Sequence, residues 1–279
     1  MALAVPLTCT PGCDPAPPSS IEPASPDTPP RIVSLSPAIT STIVAFGEGE
    51  ALVGRTPWCR TAPRSVAVAW DGTSIDAEQM IALKPTLIVY QQTESGGPRD
   101  EIARLARDRS WHLASWRLDR LADVRDMIHG VGALLGSRGE RSAQDLLHRF
   151  DRACAPDANA AALGPVILLF ATDPPMAFGP GSYVDDLWHA LGGSNAIDAG
   201  AYPELTVEQM ARIDPGWVIV IGSDQLLHAA QRLPVAALRE GRIVHAADPG
   251  LLEPGAAVIP AIESLRRALA ETVSKGPSR

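Results

Sequence analysis

Nowhere does the chain string together the roughly 18 apolar residues that a membrane-spanning helix needs, so no such helix is expected. Lys and Arg form no cluster. The balance of 24 basic against 32 acidic residues leaves a net charge of -8, which argues against a nucleic-acid partner. Cysteine is sparse: Cys9 and Cys13 lack companion metal ligands, while Cys59 and Cys154 lie in different segments and are expected to stay unpaired. The histidines (His112, His129, His148, His189, His228 and His245) are scattered, and no zinc or manganese centre is expected. A single histidine or Cys59 could still meet a metal carried in by a ligand. A G-x-S-x-G elbow, an H-E-x-x-H pair and a P-loop are all missing. The glycines from Gly130 to Gly136 sit inside a helical pattern and follow no strand, so they read as close helix packing rather than a dinucleotide turn. No catalytic residue, resident cofactor or enzyme activity is expected.

What the chain does contain is a repeat. Residues Ile75 to Val89 and Leu205 to Val220 each read as a short helix, a proline turn and an apolar strand, with Glu-Gln-Met in register at Glu78-Gln79-Met80 and Glu208-Gln209-Met210. A duplicated helix-turn-strand unit predicts two similar α/β lobes with a cleft between them. Strands are expected at 31–35, at 87–89, at 112–116, at 166–170 and at 242–245, alternating with helices, which favours mostly parallel sheets covered on both faces. The expected fold is therefore two Rossmann-like α/β lobes joined by a long interdomain helix. Its parts are a Pro-rich tether at 1–30, a first lobe at 31–118, a helical linker at 119–156 and a second lobe at 157–279. Within the linker, Gly136 and Gly139 are expected to interrupt the helix. A helical joint bends less than extended linkers, so a nearly preformed groove is expected.

The tether is rich in Pro, Ser, Ala, Asp and Thr and cannot bury apolar surface. Its opening Met1 to Leu7 is apolar but short and lacks a basic start. Cys13, preceded by Gly12, faintly resembles a lipid-modified cysteine. A lipid anchor and a truncated or mis-started N-terminus both remain open.

The segments Arg31-Ile32-Val33-Ser34-Leu35-Ser36-Pro37, Ala82-Leu83-Lys84-Pro85 and Leu191-Gly192-Gly193-Ser194-Asn195-Ala196, with the long helical stretch between, resemble one family over roughly residues 31 to 272. It is the helical-backbone (class III) periplasmic substrate-binding proteins of ABC importers, and the cobalamin-binding members look most similar. The resemblance implies an extracytoplasmic monomer that holds a cobalt corrinoid between its lobes and delivers it to a permease. A ferric siderophore or haem is the alternative cargo, and a ligand-binding module without a transport role is a third reading. Trp58 and Trp70 match aromatic positions of the first lobe, and Met176, Phe178 and Tyr202 those of the second; Trp116 joins them at a strand end. Flat macrocycles are held well between such faces. Leu251-Leu252 depart from the family's aromatic residues before Glu253. The family presents a glutamate from each lobe to its transporter, which the resemblance places at Glu78 and Glu253. For siderophores, Arg55, Arg60 and Arg64 would supply positive charge.

Overall fold

The computed structural model describes residues 29–71, 76–92 and 100–275. The tether with Cys9 and Cys13 lies outside the described residues. The first lobe contains β1 (Ile32–Ser34), α1 (Pro37–Ala45), β2 (Leu52–Arg55), β3 (Ala67–Val68), α2 (Ala77–Leu83), β4 (Leu87–Gln91), α3 (Asp100–Asp108) and β5 (His112–Trp116). Its strands form a wholly parallel sheet in the order β3-β2-β1-β4-β5. Two helices follow, α4 (Leu121–Leu134) and α5 (Gly136–Ala153). The second lobe holds α6 (Ala158–Ala162), β6 (Pro165–Thr172), β7 (Pro175–Phe178), α7 (Tyr183–Ala190), β8 (Ser194–Asn195), α8 (Val207–Ile213), β9 (Trp217–Ile221), α9 (Asp224–Ala230), α10 (Ala236–Arg239), β10 (Ile243–Ala246) and α11 (Val258–Lys275). This separate sheet runs β10-β9-β6-β7 with β8 beside the start of β6, and only β7 is antiparallel.

Apolar residues on both faces of the central strands explain why both sheets are covered on both sides. Along β1 and β4, Ile32, Leu87 and Val89 face an inner core, while Val33 and Ile88 face an outer one. In β6 and β9, Val166, Leu168, Ile219 and Ile221 join that same inner core, and Ile167, Leu169, Val218 and Val220 face outward. This period of two is the geometry of a strand read residue by residue. The inner core is one continuous cluster that also takes in α1, α4, α5, α7 and α11.

The repeat has the same local structure in both copies. Asp76 caps α2 by accepting from Gln79 N–H, and Thr206 caps α8 by accepting from Gln209 N–H. Each helix ends on a residue in the left-handed conformation, Lys84 (φ 47°) and Asp214 (φ 47°), and each sinks one methionine, Met80 and Met210, into a core. Burying each of those side chains is worth about 2–3 kcal/mol.

The linker is helical as expected, and it is a hairpin of two helices. Gly136 breaks it with φ 70°, a conformation that favours glycine, whereas Gly139 lies inside α5. The two helices run antiparallel: Arg125 pairs with Asp151, and a Cβ added at Gly132 would come within 2.6 Å of Ala143 Cβ. The absent side chains at Gly132 and Gly139 let the backbones approach. Asp186 of α7 meets the start of α4, accepting from Arg120 Nε at 2.7 Å and from Leu121 N–H at 3.0 Å. The opposite end of the hairpin returns to the first lobe, where Arg138 pairs with Glu48 at 3.1 Å. The end of α5 then rejoins the second lobe through Arg266, which bonds Ala153 O at 3.2 Å and Asp157 at 2.9 Å.

Candidate ligand groove between the lobes

In open α/β sheets, ligands meet the loops beyond the carboxyl ends of the strands. Here those loops carry Trp58 after β2, Ser36 after β1, the β6–β7 turn at Asp173-Pro174 and Glu253 after β10, with Met176 and Phe178 on β7 itself. Trp58 is 51% exposed, yet its loop is firmly held. Its neighbour Cys59 is buried, with Sγ 3.1 Å from both Thr40 Oγ1 and Thr56 Oγ1. Arg55 folds back over this loop, donating to Val66 O at 3.1 Å and Thr56 O at 3.0 Å. It is therefore engaged with backbone rather than presented to an anionic chelate. Cys59 and Cys154 are both free thiols, and burial beside Asp151 pushes Cys154 up to about 11.

The second lobe contributes an aromatic cluster. Tyr202 is 46% exposed and stands edge-on to Phe178 (5.9 Å) and Phe170 (6.4 Å), and Phe170 tilts against Phe178 at 4.4 Å. Its loop is laced to β7 by Ala177 N–H to Pro203 O at 3.2 Å and Gly179 N–H to Ala201 O at 2.9 Å. Asn195 secures the far end of β7, donating to Phe178 O and to the buried Asp185 at 2.8 Å each. Met176 is half-buried and bridges to Glu204. Phe178 itself is buried, so it backs Tyr202 rather than presenting its own face.

The remaining aromatic candidates sit deeper. Trp70 is partly buried and packs on the outer core of the first lobe. Trp116 is partly buried against the inner core with its indole edge on α4, where a Cβ added at Gly130 would lie 2.6 Å from its Nε1. Neither presents an open face comparable with Trp58. Among residues not singled out in sequence, Phe170 and Tyr183 belong to this region. Phe170 closes an apolar strand and Tyr183 opens a helix, so both resemble ordinary core positions in sequence.

Glu253 is half-buried between the lobes. Gly255, two residues on, has no room even for a Cβ against the backbone of Ala38, and Ala256 N–H donates to Thr42 Oγ1 at 3.2 Å. Burial raises the Glu253 carboxyl above its ordinary value, partly offset by Ser41 beside it and by the Arg60 charge. Burial likewise raises the Tyr183 phenol, with the charges of Tyr202 and Glu253 adding to it. Glu78, by contrast, is exposed in the first turn of α2, and Glu208 occupies the same exposed position on α8. Backbone and Thr206 hydrogen bonds hold Glu208 below the usual carboxylate range.

A family model described as periplasmic binding protein matches residues 32–248. The chain belongs to this family. Its members are substrate-binding components that serve ABC transporters outside the cytoplasm together with a permease. No helix among the described residues is long and apolar enough to cross a membrane. Solved structures share the fold. The periplasmic heme-binding protein RhuT from Roseiflexus sp. RS-1 is 24% identical, with 88% of this chain and 99% of that one covered at a TM-score of 0.68. The periplasmic vitamin B12 binding protein BtuF of Vibrio cholerae is 21% identical, with 87% and 98% covered at 0.69. The periplasmic heme binding protein HutB of Vibrio cholerae is 19% identical, with 86% and 98% covered at 0.69. No curated protein matches in sequence.

Proposed function

We propose that this binding protein captures a corrinoid in the inter-lobe groove and delivers it to the permease of an ABC importer. The observation that carries the reading is the pair of exposed aromatic faces on well-held loops, Trp58 from one lobe and Tyr202 from the other. Such rigid rings cover a broad, partly apolar macrocycle at little entropic cost. Arg55 is engaged with backbone carbonyls, whereas Arg60 and Arg64 are exposed and the Arg60 charge reaches Glu253, so a ferric siderophore stays an alternative cargo. Haem is the second reading, favoured by the Tyr202 phenol, whose oxygen is suited to ferric iron. Titration of the purified protein with cyanocobalamin, haemin and a ferric siderophore, followed by absorbance and calorimetry, tests the choice. Tight binding of cyanocobalamin alone is the expected result; exclusive binding of haemin, with a shifted Soret band lost in Tyr202→Phe, would overturn it.

For the permease contact, the internal repeat supports Glu78 with Glu208 rather than Glu253. The first two are exposed at equivalent positions of the two lobes, whereas Glu253 is held between them. Widely spaced charges of this kind steer and register a docking partner.

A further inference from the structure

The loop between β2 and β3 carries Trp58, and one side chain seats it. From Pro57 to Thr61 every residue is exposed except Cys59, which keeps 1% of its surface in solvent. No helix or strand lies in this loop. Its backbone closes only in tight turns, with Cys59 N–H donating to Thr56 O at 3.2 Å and Ala62 N–H to Cys59 O at 3.3 Å. The Cys59 sulfur ties the loop to the lobe. Sγ lies 3.1 Å from Thr56 Oγ1 and 3.1 Å from Thr40 Oγ1 of α1. Thr40 Oγ1 also donates to Ser34 Oγ at 2.8 Å, and Ser34 Oγ donates to Ser36 O at 3.2 Å. All four of these hydroxyl residues are buried. A chain of small polar groups thus runs from the end of β1 to the residue beside the exposed indole. The Ser36 hydroxyl stays outside it, neither capping α1 nor finding a partner. Thr56 Oγ1 has no partner but the sulfur among the described residues, and leaving a buried hydroxyl unpaired is costly.

We infer that Cys59 is a positioning residue for the ligand. Held between the two threonines, it fixes the angle at which Trp58 meets the macrocycle, and it does not touch the ligand itself. An indole on a loosened loop occupies its binding position only part of the time, and affinity falls by that fraction. The loss cannot exceed that of removing the indole, because it is transmitted through the indole. This inference rests on the corrinoid reading and on Trp58 as a ligand contact.

The test is a double-mutant cycle read by calorimetric titration with cyanocobalamin. Cys59→Ala should weaken binding about tenfold, and Cys59→Ser, which keeps a hydrogen-bonding atom in the seat, should restore it to within about threefold of wild type. Trp58→Ala/Cys59→Ala should bind no worse than Trp58→Ala alone, whereas a cysteine with a merely structural role gives additive losses. Thermal melting checks that each variant is folded. Thr56→Val removes one hydroxyl of the seat at nearly constant shape, and it takes the place of Cys59→Ala in the cycle should that variant fail to fold. Unchanged affinity in Cys59→Ala and Thr56→Val, or additive losses in the cycle, overturns this inference alone. Failure of cyanocobalamin to bind the wild type overturns it together with the proposed function.

Discussion

Trp58→Ala separates a binding role from a folding role. Trp58 keeps 51% of its surface in solvent, so removing the indole should change stability by no more than about 0.5 kcal/mol. A tryptophan side chain presents roughly 250 Å², so about half of that is open to a ligand. At about 25 cal/mol per Å², covering it is worth about 3 kcal/mol. Ordering losses reduce this to about 2 kcal/mol, or near 30-fold in Kd. Calorimetric titration with cyanocobalamin measures the first effect and thermal melting the second. An affinity within about threefold of wild type would remove Trp58 from the binding surface, and a large fall in Tm would recast it as a packing residue.

Other outcomes follow from the same geometry. Charge removal in the double variant Glu78→Ala/Glu208→Ala should abolish uptake in whole cells while ligand affinity stays unchanged, and Glu253→Ala should instead alter affinity. Gly255→Ala forces a methyl group onto the Ala38 backbone and should cost about 1–3 kcal/mol, seen as a Tm lowered by several degrees; an unaltered Tm would show that the lobes are not tightly pinned there. Met80→Ala and Met210→Ala should each cost about 2–5 kcal/mol in denaturant unfolding, with similar values because the two sites are copies. Glu253→Gln should melt higher than wild type at neutral pH. The folded protein binds the Glu253 proton more tightly than the unfolded chain, so the wild-type deficit appears as pH rises above 4.5 and disappears below it. Asp186 has the opposite sign: burial pushes it up, but Arg120 and Leu121 N–H outweigh this and hold it below 3.8. Asp186→Asn should therefore destabilise at neutral pH, with the difference fading as acid titrates the wild-type carboxylate through its lowered range.

The architecture was legible because each level of the sequence agreed with the next. Glu-Gln-Met in register marked the repeat, and cap, left-handed stop and buried methionine coincide in both copies. The hairpin was only partly legible. Gly136 and Gly139 look alike in sequence, but one supplies a positive φ and the other a close approach between helices. Site residues were harder to read, because exposure is a tertiary property. Trp58 and Trp70 both lie beside loop-forming residues, yet only Trp58 keeps an open face; the indole of Trp116 is seated by a glycine fourteen residues further along the chain. Glu208 was visible in the repeat itself, where its register with Glu78 was the signal. The orphaned Ser36 hydroxyl leaves no trace in sequence, since a serine before a proline at a helix start ordinarily reads as a cap.

Because a single apolar interior runs through α1, the α4–α5 hairpin and α11, neither half of this protein is an independent building block. Cutting the chain after α5 would strip both fragments of a shared wall, so each should be insoluble alone and regain structure only when the two are refolded together. Lobes traded with a relative would have to carry the hairpin's matching faces with them.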